Sequence, residues 1–491
     1  MFASLNAHSS VVELLLQNGA EIDLCNKNGS TALMKASHGG HCSVVELLLQ
    51  NGAKIDLCEN DGFNSLMLAS QNGHSSVVEL LLQNGAKIDL CDNDGFNSLM
   101  LASQNGHSSV VELLLQNGAK IDSCNKNGST ALMLASVDGH SSVVELLLQN
   151  GAKIDLCDND VSTALMLASH YGHSSVVELL LQNGAKIDSC DKNGSTSLML
   201  ASINGHSSVV ELLLKNGASI DLCYNNGFTS LMLASHDGHS SVVQLLLQNG
   251  AEIDSCDKNG STSLMLASIN GHSSVVELLL QNGAKIDLCN KDGSSSLMLA
   301  SFKGHSSVVQ LLLQNGAKID LCNNDGSSSL MLASFKGHSS VVQLLLQNSA
   351  KIDLCNNNGL TSLMLASLNG HSSVVQLLLQ NGAKIDLCNN DGSSSLMLAS
   401  FKGHSSVVQL LLQNSAKIDL CNNDGLTSLM FASRYGHSSV VELLLQNDAN
   451  IDLCTKNGIT PLTIALICRH PSVVIILLKN GATFNRFYIN V

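Results

Sequence analysis

The chain has no tryptophan, two prolines (Pro461 and Pro471) and only 3% aromatic residues in 491 positions. Charged residues are sparse at 13%, which implies that much of the surface of each structural unit is buried. The formal charge of −15 comes from acidic residues such as Glu79 and Asp89 recurring along the chain, not from an acidic tail. Lys and Arg are nowhere clustered, so nucleic acid and anionic lipid are poor candidates as partners. The longest uninterrupted apolar run, Val473 to Leu478, falls far short of the ~20 residues a membrane helix requires. The first residues, Met1 to Asn6, lack the basic start and apolar stretch of a secretory signal, and the expected location is the cytoplasm. No C-x-x-C pair is present, and Cys468-Arg469-His470 is too isolated for a zinc site. Phosphate-cradling loops, nucleophile elbows and paired carboxylates are missing too. The expectation is therefore no enzyme, no metal, no cofactor and no small-molecule substrate.

What is present is a strict period of 33 residues. Histidine recurs from His8, His41 and His74 to His437 and His470 without an insertion or deletion, and cysteine keeps the same step from Cys25 to Cys454. Such a register describes one supersecondary unit stacked many times, each unit touching only its neighbours. One continuous array without an internal boundary is expected. Stacked helices lie about 8–10 Å apart, whereas a disulfide needs Cα atoms within roughly 7 Å. Reduced thiols, with no disulfides, are the corresponding expectation.

Residues 62–94 serve as the specimen repeat. A first short helix runs from about Ser65 to Ser70, capped by Asn64 or Ser65, with Leu66, Met67 and Ala69 turned inward and Gly73 at the exit. In the second, Ser76-Val77-Val78-Glu79 reads as a capping box and Gly85 as the terminator, while Val77, Val78, Leu80, Leu81 and Leu82 make it apolar nearly all round. A 33-residue piece cannot cover such a helix alone, so stacking is obligatory. Residues 86–95 alternate and end in turn formers, which reads as an extended finger closed by a tight turn.

Residues 95–124, GFNSLMLASQNGHSSVVELLLQNGAKIDSC, resemble the ankyrin repeat, and the resemblance covers essentially the whole chain. It implies an all-α helical solenoid of stacked helix-turn-helix repeats with β-turn fingers at one edge. It also implies that the junction histidine hydrogen-bonds neighbouring loop backbone. Residues 1–28 are expected to form a truncated first repeat, 29–457 thirteen complete repeats and 458–491 a divergent C-terminal repeat. The family's T-P-L-H is replaced by TALM, TSLM, NSLM or SSLM until Thr460-Pro461-Leu462-Thr463. The missing proline should cost rigidity, and methionine, in thirteen places from Met34 to Met430, substitutes a flexible apolar filler for the histidine.

Overlaying the repeats separates what stacking requires from what it leaves free. The free positions are the residue after the turn glycine (Phe63, Phe96, Phe228, Leu360, Leu426 and Ile459 in some repeats, serine in others) and the two closing the first helix. The latter include Tyr171, Phe302-Lys303, Phe335-Lys336, Phe401-Lys402 and Arg434-Tyr435. By the resemblance these face the concave and finger surface where ankyrin proteins commonly touch partners. Scarce aromatics at positions the stack does not need fit interface chemistry. The candidate partner-binding residues are therefore Phe63, Phe96, Tyr171, Phe228, Phe302, Lys303, Phe335, Lys336, Phe401, Lys402, Arg434 and Tyr435. Matched Phe-Lys pairs on adjacent repeats would suit a partner with apolar and acidic groups, although near-copies around 293–348 and 392–414 also suggest inheritance by duplication.

The implied function is a scaffold or adaptor binding other proteins. The alternative is a structural tether or elastic spacer, or the ankyrin region of a larger multidomain signalling protein, since the first unit begins inside its own first helix. Val161 stands where the turn glycine belongs, and a β-branched residue there is expected to distort the turn. Ser349, Ser415 and Asp448 replace the glycine after the second helix at smaller expected cost.

Overall fold

The computed structural model describes residues 1–483; the last eight residues of the expected C-terminal repeat, 484–491, lie outside the described residues. It falls into two compact units, Met1–Ala234 with Ser241–Glu252, and Ser235–Ser240 with Ile253–Val491. Both consist of short paired helices, thirty in all among the described residues, with antiparallel bridges at the base of many finger turns, such as Cys91 to Asn97 and Cys322 to Ser328.

The first unit shows how one repeat is made. Asn64 ends an extended segment, and its side chain accepts the Met67 N–H at 2.9 Å, starting the helix Ser65–Gln71. Threonine and serine cap equivalent helices at 3.3–3.4 Å. Leu66, Met67 and Ala69 are buried as expected, and so are Ser65, Leu68 and Ser70. The second helix, Ser75–Gln83, carries the expected apolar residues but not the expected start. His74 occupies the cap without a side-chain bond to its own helix, Ser76 lies inside the helix, and Glu79 instead accepts from Gln83 at 3.3 Å. The capping box does not form because the Gly73-His74 junction begins the helix too early for Ser76 to serve as its cap. At the other end Gly85, with φ +85°, lets its own N–H reach Leu82 O at 3.0 Å and that of Ala86 reach Leu81 O at 3.1 Å.

Within each unit three hydrogen bonds tie one repeat to the next. The junction histidine donates from Nε2 to the first-helix exit of the repeat before it: His107 to Gln71 O at 2.9 Å, His338 to Phe302 O at 3.0 Å. The finger aspartate accepts the backbone N–H of the residue 31 positions on, Asp89 from Lys120 and Asp320 from Lys351. The turn N–H is passed along as well, Asn93 to Asp61 O at 3.0 Å and Asn357 to Asp325 O at 3.0 Å. These aspartates explain the acidic balance, since one per repeat is held by a backbone donor. Between the bonds, first helices pack on neighbouring first helices and second on second, closing over Val77, Val78 and Leu81 and their equivalents.

One column of this core is polar. Ser37, Ser70, Ser103, Ser169, Ser202, Ser235, Ser268, Ser301, Ser334, Ser367, Ser400 and Ser433 are fully buried with no hydrogen-bond partner for the hydroxyl. Ser136, in the same column, donates to Leu132 O at 2.7 Å.

Val161 does not distort its turn. It takes φ +65°, its N–H bonds Asp158 O at 3.0 Å, and Ser162 N–H bonds Asp158 Oδ1 at 2.8 Å, as in the glycine turns. Those bonds hold a β-branched residue in the left-handed region, at a cost of roughly 1–2 kcal/mol. Val161→Gly should therefore raise the thermal midpoint of unfolding, and an unchanged or lower midpoint would show that no strain is stored there. Ser349, Ser415 and Asp448 adopt positive φ in the same way.

Candidate functional site

The surface of interest is formed by the finger turns and the exposed side of the first helices. Most turns are set by an Asx side chain, as where Asn323 Oδ1 accepts from Asp325 N at 3.1 Å and from Ser327 N at 2.8 Å, which fixes where the following residues stand; the turns before Phe63 and Phe228 carry Glu59 and Tyr224 at that position instead. Phe63, Phe96 and Phe228 of the first unit occupy this turn half-buried, each in a different repeat. At the equivalent position Ser195, Ser294 and Ser393 are buried, whereas Ser129, Ser162 and Ser261 are half-buried like the phenylalanines. Tyr171, half-exposed, is edge-on to His170 at 4.7 Å and stacks on the junction ring of its own repeat, His173, at 6.4 Å.

The second unit brings the remaining candidates together in two groups. Lys336 places Nζ 4.5 Å from the ring centre of Phe302 and 5.4 Å from that of Phe335, joining two repeats by cation–π contact. Phe335 is 38% exposed, so part of this ring remains open. Lys303 is exposed at the end of its helix. In the second group Phe401 meets Tyr435 at 4.7 Å and Phe431 at 6.1 Å, both edge to face. Lys402 sits 5.1 Å from the Phe401 centre and Arg434 5.8 Å from that of Tyr435. The helix-end aromatics stand in columns that vary between repeats, but Phe431 does not. It stands in a column of leucines (Leu332, Leu365, Leu398) that reads as core, and its substitution in that column was the available signal.

A groove of about 320 Å³ opens beside this second group. Its floor is Met397, Leu398, Phe401 and Phe431, and its finger side carries Asp391 and Asp424 with Asn389, Asn422 and Asn423.

A polar pair marks the first unit. Lys35, where most other repeats have leucine, lies 3.3 Å from Glu59, which also binds the buried Ser30 hydroxyl. Both charges are mostly covered, and the two departures from the repeat pattern compensate each other.

The finger cysteines are free thiols. Burial, and then the neighbouring aspartates, push Cys58, Cys91, Cys289, Cys322 and Cys388 above the ordinary thiol range, which disfavours the nucleophilic thiolate. Among the described residues no group of three or more His, Cys, Asp or Glu could hold a metal ion, and no helix is long and apolar enough to cross a membrane.

A family model described as ankyrin repeats (3 copies) matches in overlapping segments from 1–94 and 82–158 through 330–422 and 396–488, together spanning nearly all of the chain. A search of curated proteins finds no match.

Proposed function

We propose, from the premise that the chain belongs to the ankyrin-repeat family, that it is a scaffold or adaptor binding partner proteins on its finger turns and first-helix ends. Ankyrin repeats are generally non-enzymatic protein-interaction modules, and that general role is the starting point. The observation that carries the finer reading is where the few aromatics lie. Stacking is completed by Val, Leu, Met and Ala, yet Phe302, Phe335, Phe401 and Tyr435 stand at helix ends with cations against their rings. Large side chains with Lys or Arg beside them bury area at low entropic cost and accept acidic partners.

Affinity capture from cell extract with the full chain, compared with Phe302→Ala/Phe335→Ala, tests this. Hot-spot truncations cost at least about 2 kcal/mol, so at least one captured protein should fall by tenfold or more while the helical signal is unchanged. Retention of every captured protein would contradict the assignment of this surface and favour a spacer role.

A further inference from the structure

We infer that the groove beside Phe401 and Phe431 receives an arginine side chain of a partner protein, a proposal that rests on the interaction reading above and names the chemistry of one contact within it.

Three features of the groove converge. Its floor is aromatic and thioether, with Phe401 and Phe431 edge to face at 6.1 Å and Met397 on the same first helix as Phe401. On the finger side stand Asp391 and Asp424, both exposed and on successive turns. Their backbone N–H groups are each held at 3.1 Å by the side chain of the asparagine two residues before, Asn389 and Asn422. Among the described residues neither carboxylate joins an ion pair, although Lys402 and Arg434 belong to the same cluster. Those two cations lie against Phe401 and Tyr435 at the helix ends, so the surface runs from acid at the fingers, through aromatic, to base at the helix ends.

A cation entering from the finger side meets two carboxylates and an aromatic floor. Arginine suits this better than lysine. Its planar guanidinium stacks on a ring while its fork engages a carboxylate, and it is less strongly hydrated than an ammonium. An acidic or purely apolar side chain would leave Asp391 and Asp424 repelled or desolvated. The groove is also particular to this place. Repeats carrying Asp292 and Asp325 in equivalent turns have Leu299 and Leu332 where Phe431 stands, so duplication accounts for the acids and for Phe401 but not for Phe431.

The full chain, with methyl-labelled methionine, is titrated with the capped peptide Gly-Gly-Arg-Gly-Gly and with the same peptide carrying citrulline, the neutral isostere. The Met397 methyl signal, assigned by its loss in Met397→Leu, should move with the arginine peptide at up to about 10 mM, as a single side-chain contact implies. It should not move with citrulline. Asp391→Asn/Asp424→Asn should weaken the response at least tenfold. Phe431→Leu, which restores the residue of neighbouring repeats and so spares the fold, should weaken it several-fold. No movement, equal movement with citrulline, or movement spread evenly over all methionine methyls would overturn the proposal. So would an undiminished response in either variant. If the peptide fails while Phe302→Ala/Phe335→Ala still abolishes capture of a partner, only the arginine site falls; if both fail, the interaction reading falls with it.

Discussion

Gly337→Ala should destabilise the second unit by about 2–4 kcal/mol, while Gly316→Ala, at nearly the same backbone angle, should cost about 1 kcal/mol. Gly337 has φ +80° and Gly316 +83°, so both substitutions incur the left-handed penalty of roughly 1–2 kcal/mol. Part of it is returned in each case by the lower entropy of an unfolded chain with alanine. They differ in what a Cβ would touch. At Gly316 nothing lies within 4 Å, whereas at Gly337 the new carbon would stand 2.6 Å from Nδ1 of His371. That ring belongs to the next repeat, where Nε2 bonds Phe335 O at 3.0 Å, so it cannot retreat without giving up a bond between repeats. Overpacking of this kind adds about 1–3 kcal/mol. The natural sequence has already tried the lenient position, with Ser349, Ser415 and Asp448 replacing its glycine. Urea midpoints check the difference. In a double-mutant cycle His371→Ala should remove most of the excess cost of Gly337→Ala. Equal midpoints for the two glycine variants would mean that the histidine contact is not rigid.

The opposite sign is expected for the buried serines. Replacing Ser268, Ser301, Ser334, Ser367, Ser400 and Ser433 together by alanine should stabilise the second unit by about 3–6 kcal/mol. Each hydroxyl is fully buried without a partner, and leaving a buried polar group unsatisfied costs about 1–3 kcal/mol. Alanine is also the better helix former by a few tenths of a kcal/mol. The sum is discounted because a hydroxyl can turn to the carbonyl four residues back, as Ser136 does with Leu132. The volume change is one oxygen, so little cavity forms. Thermal midpoints of the sixfold variant and the natural chain decide it; a lowered midpoint would show that the hydroxyls are paired in solution and hold the first helices in place.

Most of the fold was legible because stacking repeats the same demand in every unit. The His and Cys ladders, the apolar second helix and Gly85 are set by contacts that each repeat makes with its neighbours, and these leave a period in the sequence. What escaped depended on a choice between two nearby geometries. Ser76 and Glu79 have capping-box spacing, but the Gly73-His74 junction fixes the helix start, and spacing does not reveal that. At Val161 the residue reads as incompatible with the turn, whereas the Asp158 side chain and the flanking bonds hold the turn in place and the cost appears as strain. The serine column leaves no such signal, because its burial on all sides is visible only once the first helices stack. At the surface, the aromatic-cation groups could be anticipated from columns that vary, but their pairing could not. That Lys336 reaches back to Phe302 is a matter of side-chain direction. Phe431 was hidden by occupying a leucine column.

The central claim is that a repeat is stable only against its neighbours. Urea unfolding of fragments holding one, two and four repeats (residues 359–391, 326–391 and 293–424) tests it most directly. Nearest-neighbour coupling predicts no folded single repeat, a marginal pair, and a four-repeat fragment whose midpoint and urea dependence both rise steeply with length. A single 33-residue repeat that folds alone, or a midpoint independent of repeat number, would contradict it.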